Sequence, residues 1–187
     1  MKPLALIPAF AFTGGDRLDW LQRRTARGGQ VAGGSGVIGM RERAKQILEY
    51  AVAKEAADEE FYSHWAERCD IGDVKQLLKE LAGEERHHIE KLSNISPEAL
   101  IAEGKAPVEI GFLMDRRAGL DEREMTVLDV LSVAIEREEK AVALYARMRE
   151  AATTEEALLT ALVEEERRHK YRLELKYAAL KSETDRR

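Results

Sequence analysis

Two copies of one pattern, Glu85-x-x-His88 and Glu166-x-x-His169, lie in stretches whose leucines keep the same helical step. Around the first, Leu78, Leu81, Glu85, His88 and Leu92 advance by 3, 4, 3 and 4 residues; around the second, Leu159, Leu162, Glu166, His169 and Leu173 do the same. That step is the seam of a helix packed in a bundle. Ionisable residues therefore stand where leucines belong, in the middle of a buried stripe. Removing one ion from water costs about several kcal/mol even after relaxation, so a fold that buries this stripe must neutralise them.

The rest of the chain repeats in the same way. Position 85 lies over 166 with a shift of 81, and position 55 lies over 138 with a shift of 83. The second alignment sets Lys54-Glu55 over Arg137-Glu138 and Phe61-Tyr62 over Leu144-Tyr145. The first helix then presents Leu48, Val52, Glu55, Glu59 and Tyr62, and the third Leu131, Ile135, Glu138, Val142 and Tyr145. Each of four helices places a carboxylate at one level. Metal cations supply the compensation that such a layer needs, and two imidazoles complete the donor set. Carboxylate with imidazole suits Fe, Mn or Zn. One Glu from each of two helices, with Glu-x-x-His from each of the other two, is the donor set of two-metal carboxylate bundles. The expected ligands are Glu55, Glu85, His88, Glu138, Glu166 and His169.

Four amphipathic segments carry these residues, over about 41–68, 73–92, 126–150 and 153–181. Asp73 with Gln76, Thr126 with Asp129, and Thr153 with Glu156 have the spacing of helix-start caps. Short connections make segments one and two, and three and four, antiparallel hairpins. The link over 93–125 is much longer, with a short helix after Ser96-Pro97 ended by Gly104, then an extended stretch over 107–114. The fold expected is all-α, an antiparallel four-helix bundle with a long crossover between helices 2 and 3.

Eight of the 13 glycines fall before residue 40, so residues 1–39 read as a glycine-rich disordered leader, 40–182 as the bundle and 183–187 as a tail. The opening LALIPAFAF has a faint signal-peptide shape, interrupted by Pro8; an extension upstream of a start at Met40 is an equal alternative. Gly34-Ser35-Gly36-Val37-Ile38-Gly39 matches a dinucleotide fingerprint formally, but no strand precedes it, so it reads as linker. A net charge of −5 argues against nucleic acid as a partner, and no apolar run is long enough to span a membrane. Cys69 is the single cysteine; it permits no internal disulfide, reads as a small buried hydrophobe, and leaves a reducing cytoplasm as the default compartment.

Other residues near the stripe carry weaker readings. Glu84-x-x-His87 is a competing register, but its repeat counterpart is Glu165-x-x-Arg168, which places His87 at a rim. His64 reads as surface or as a neighbour of the site. Tyr62 and Tyr145 are either ordinary core aromatics or hydroxyls bonded to a ligand carboxylate, which would orient it. Asp58 reads as solvated, Glu59 as a candidate extra ligand, and Glu164-Glu165 and Arg167-Arg168 as wet faces.

The stretches AVAKEAADEEFY, LAGEERHHIEKL, AIEREEKAVALY and LVEEERRHKYRLE resemble the rubrerythrin branch of the ferritin-like superfamily. The resemblance implies a ferritin-like bundle, the same six ligands, two iron ions, and a homodimer or larger homo-oligomer. It further implies oxidoreductase chemistry on peroxide or O2 in oxidative-stress defence. Two departures qualify it. The four-cysteine iron centre of full-length members has no counterpart, so electrons must come from a separate donor protein. The extra glutamate one turn after the third-helix ligand is replaced by Ala141. Two rival readings follow from the same residues: iron oxidation and handling, with the leader as a tether to a storage shell, or a structural bundle with a vestigial site.

Overall fold

A computed structural model describes residues 36–101 and 125–186. Four helices dominate them: α1 (Gly36–Arg68), α2 (Gly72–Ser93), α3 (Val127–Ala151) and α4 (Glu156–Thr184), with one 3₁₀ turn, Pro97–Leu100, after α2. No strand occurs among the described residues. Helix α1 starts several residues before the expected bundle boundary and takes Gly36 and Gly39 into its first turn. Residues 1–35, Gly104 and the stretch 107–114 lie outside the described residues.

The helix starts divide by their chemistry. Thr126 caps α3 as expected: its hydroxyl accepts from the Asp129 N–H, while the Asp129 carboxylate accepts from the Thr126 N–H. The other two expected caps are not formed. Ile71 precedes α2 without a side-chain bond, and Asp73 sits inside the first turn, where it favours the helix dipole and pairs with Lys176. Thr153 does not open α4. Its N–H and hydroxyl both donate to the Ala99 carbonyl, so the turn between α3 and α4 is tied to the 3₁₀ turn, and α4 begins at Glu156.

Connections of a few residues fold α1 on α2 and α3 on α4. The buried stripe of α1 runs Leu48, Ala51, Glu55, Asp58, Tyr62, and that of α3 runs Leu131, Ala134, Glu138, Ala141, Tyr145. Both step by 3, 4, 3, 4. The expected stripe is corrected at two places in each helix: Val52, Glu59, Ile135 and Val142 flank the seam half-buried, and Ala51, Asp58, Ala134 and Ala141 take the centre. Two apolar clusters result, one on either side of the carboxylate layer. One gathers Leu48, Ala51, Leu92, Leu144, Tyr145, Met148, Leu159 and Leu162. The other gathers Tyr62, Trp65, Leu78, Leu81, Leu131, Ala134 and Leu173. Full burial of each leucine contributes about 1.5–3 kcal/mol, and these clusters carry the polar layer between them. Cys69 packs in the second cluster as a free, buried thiol.

Candidate metal centre

Glu55, Glu85, His88, Glu138, Glu166 and His169 meet in the middle of the bundle, each with at most 2% of its surface exposed. They form two overlapping groups, Glu55–Glu85–His88–Glu166 and Glu85–Glu138–Glu166–His169, whose donor atoms lie within 4.8 Å of one another. Glu85 and Glu166 belong to both. Each turns one oxygen to each side: Glu85 Oε2 is 2.9 Å from His88 Nδ1 and its Oε1 is 3.2 Å from His169 Nδ1. Glu166 Oε1 is 2.9 Å from His88 Nδ1, and its Oε2 is 3.4 Å from His169 Nδ1. Each of these two carboxylates thus faces both histidines. The two imidazoles stack, ring centroids 5.4 Å apart and 16° from parallel.

Glu55 and Glu138 each serve one side and are each held by a tyrosine from the facing helix. Tyr145 Oη donates to Glu55 Oε1 at 2.5 Å, and Tyr62 Oη donates to Glu138 Oε1. The remaining oxygens face the histidines, Glu55 Oε2 at 3.3 Å from His88 Nδ1 and Glu138 Oε2 at 3.7 Å from His169 Nδ1. Both tyrosines are fully buried, one in each apolar cluster. Each closes the polar layer from its own end.

The outer nitrogens of the imidazoles are held by two further acids, Glu165, expected on a wet face, and Glu84, expected only in the competing register with His87. His88 Nε2 lies 2.9 Å from Glu165, and His169 Nε2 lies 2.5 Å from Glu84. Lys91 also donates to Glu165 at 2.6 Å, and Arg172 to Glu84 at 2.9 Å. Under the shift of 81 these contacts exchange, Glu84 for Glu165 and Lys91 for Arg172. The acid preceding each central glutamate therefore crosses to the histidine of the other motif. Such a contact keeps a proton on Nε2, so that loss of the other proton leaves the lone pair on Nδ1, turned inward. A groove of about 520 Å³ between α2 and α4 lies over these imidazole edges; Glu84, Lys91, Glu165, Arg168 and Arg172 line it with the exposed His87.

The α1/α3 side departs from expectation. Asp58 is buried, with a relative exposure of 4%, where a solvated residue was expected. It pairs with Lys54 at 2.5 Å and with Arg137. Lys54 Nζ also reaches Glu55 Oε1 at 3.3 Å. Glu59, a candidate extra ligand, is turned away and accepts from Arg86 at 2.8 Å. His64 stays near the surface, where its Nδ1 meets Arg68.

Taken by themselves, these side chains share protons. Burial raises Glu85, and the charges of Glu55 and Glu166 add to it, so its carboxyl reaches about 8. Burial likewise raises Glu138. Burial opposes ionisation of Glu55, but the Lys54 ammonium prevails and brings it to about 2; for Glu166 the contacts with His169 and His88 overcome burial and lower it. Burial also opposes charge on His88, yet contacts with Glu166, Glu55 and Glu85 carry it up to about 12, and His169 rises for the same reason. Two carboxylates and two imidazoliums balance. Exchanging the protons of Glu85, Glu138, His88 and His169 for two divalent cations conserves that charge.

The residues fit a metal pair on a further count. Glu85 Oε1, both Glu166 oxygens and His169 Nδ1 are buried without an aligned hydrogen bond. Buried polar atoms are paired in the great majority of native sites, and inward carboxylate and imidazole lone pairs are metal donors.

A family model described as Rubrerythrin matches residues 46–177, well over half of the chain and all four helices that carry these donors. No curated protein and no solved structure matches.

Proposed function

The chain belongs to the rubrerythrin family, and we propose that it is a two-iron oxidoreductase acting on peroxide or O2, with electrons from a separate donor protein. One observation carries this reading: two Glu-x-x-His motifs and two further glutamates bring their donor atoms into a single buried layer, where Glu85, Glu166 and His169 keep atoms without an aligned hydrogen bond. Glu85 and Glu166 would be shared between the ions, Glu55 with His88 would complete one position, and Glu138 with His169 the other. When bound, the iron pair supplies one electron from each ion, so that an O–O bond can be cleaved by two electrons at once.

The protein's own residues do the rest. Tyr145 and Tyr62 hold one oxygen of Glu55 and of Glu138, leaving the second free to bind. Glu165 and Glu84 keep the imidazole lone pairs inward. The two apolar clusters exclude water above and below the layer. No helix of the described residues is long and apolar enough to cross a membrane.

Metal analysis of chelator-free protein, followed by stopped-flow mixing of the reduced iron form with hydrogen peroxide, tests the proposal. About two irons per chain and stoichiometric oxidation by peroxide support it. Less than one transition metal per chain, unchanged in Glu85→Ala and His88→Ala, removes it. Continued consumption of Fe(II) beyond the site stoichiometry assigns the centre to iron oxidation instead.

A further inference from the structure

The repeat that makes the two candidate metal positions alike is broken at one pair of residues. Under the shift of 83, Lys54 corresponds to Arg137, a cation before the ligand in each helix, but Asp58 corresponds to Ala141. Both cations converge on Asp58: Lys54 Nζ at 2.5 Å, and the Arg137 guanidinium, which also lies 4.8 Å over the Phe61 ring. Asp58 thereby anchors Lys54 where its ammonium reaches Glu55 Oε1 at 3.3 Å. The methyl group of Ala141 offers no such anchor beside Glu138.

We infer that Lys54, anchored by Asp58, makes the two positions unequal, so that the ion held by Glu55 and His88 binds more weakly and exchanges faster than the ion held by Glu138 and His169. This rests on the two-metal reading above. The Lys54 side chain is only 12% exposed and that of Asp58 only 6%, so solvent and salt screen the charge weakly. The ammonium and a divalent ion would sit on opposite oxygens of one carboxylate, close enough for repulsion to act in the low-dielectric interior. Lys54 also competes for the electron density that Glu55 would give to the metal. The result is a centre with one resident ion and one exchangeable ion, and Lys54 is a positioning residue acting through Glu55.

Cobalt(II) titration of metal-free full-length chain, followed by its visible absorption and by calorimetry, tests the inference. Mutual repulsion separates the two binding steps in any two-metal site, so the single-site variants carry the decision. His88→Ala should bind one ion about tenfold more tightly than His169→Ala does, the size expected for one neighbouring buried charge. In the otherwise unchanged chain, Lys54→Met should tighten the weaker step about tenfold and leave the stronger one alone. Lys54→Arg should keep the original separation, and Lys54→Gln serves if the methionine variant does not fold. Equal affinities in the two histidine variants, or a weaker step indifferent to Lys54→Met and Lys54→Gln, overturn the inference while two ions still bind. Failure of the unaltered chain to bind cobalt overturns the two-metal reading and the inference with it.

Discussion

The face built by α2 and α4 and the face built by α1 and α3 bring the same kind of donors to one layer, but they support them differently. On the α2/α4 face the repeat is kept outward from the donors: Glu84 and Glu165 exchange, and Lys91 and Arg172 exchange behind them. On the α1/α3 face it holds for the donors and the crossed tyrosines and then stops, at Asp58 against Ala141. The difference separates two demands. Presenting lone pairs inward is a geometric requirement common to both positions, and a repeat satisfies it. Distinguishing one position from the other needs a departure from the repeat, and a single buried acid is enough to recruit two cations.

The largest effects test the part that both faces share. Glu85→Ala and Glu166→Ala should each lose both metals, since each of these carboxylates faces both sides. Binding at a thousandfold excess over Kd stabilises a fold by about 4 kcal/mol per site, so metal removal should lower the melting temperature clearly. It should also change the pH response. Glu85 and His88 have raised values, about 8 and about 12, so their contribution is complete below their unfolded values and is lost as pH rises through the folded ones. Metal-free protein should therefore lose stability as pH rises above about 4.5, the Glu85 part being gone by about pH 8 and the His88 part only by about pH 12. Metal uptake near neutral pH should release about four protons, one each from Glu85, Glu138, His88 and His169. Calorimetry in buffers of different ionisation enthalpy counts them, and release of fewer than two would contradict the proton sharing described.

Smaller effects compare the faces directly. Glu84→Gln and Glu165→Gln should each weaken cobalt affinity about 10- to 100-fold, by similar amounts, because the α2/α4 face keeps the repeat. A tenfold disparity between them would break the comparison. Tyr62→Phe should cost metal-free protein about 1.5–3 kcal/mol in urea unfolding, since it leaves Glu138 Oε1 short of a donor, and Tyr145→Phe should cost less, since Lys54 still donates to Glu55 Oε1. Smallest is Thr126→Ala, at about 1 kcal/mol; it should be the same with and without metal, because that cap lies away from the layer.

Much of this was legible in the sequence. The four helices and all six central residues follow from a 3–4 step repeated at shifts of 81 and 83, because burial forces a leucine seam and an interrupted seam is visible as text. The stripes of α1 and α3 were misread by one position because Val52, Ile135 and Val142 are more apolar than the alanines beside them. Close helix packing prefers the smaller residue, and that shift turns Asp58 inward and Glu59 outward. Glu84 and Glu165 were hidden for a different reason. A glutamate beside a seam looks solvated until the facing helix is known to offer an imidazole N–H. The start of α2 at Gly72 was placed within one residue, but its cap was not, because Ile71 makes no side-chain bond to the first turn.

The carboxylate layer divides the apolar interior into two plugs, and each plug takes side chains from all four helices. Such an interior is tied at both ends and weakest at its waist. Without bound cations, opening at mid-height exposes little apolar surface, while undoing either end exposes a whole cluster. Ions can then enter and leave by a local breath at the waist, on a shorter timescale than global unfolding. Amide hydrogen exchange should record it, fastest among the helical amides around Glu55, Glu138 and Glu166 and slowest around Leu78, Leu131 and Leu159, with bound metal bringing the three levels together.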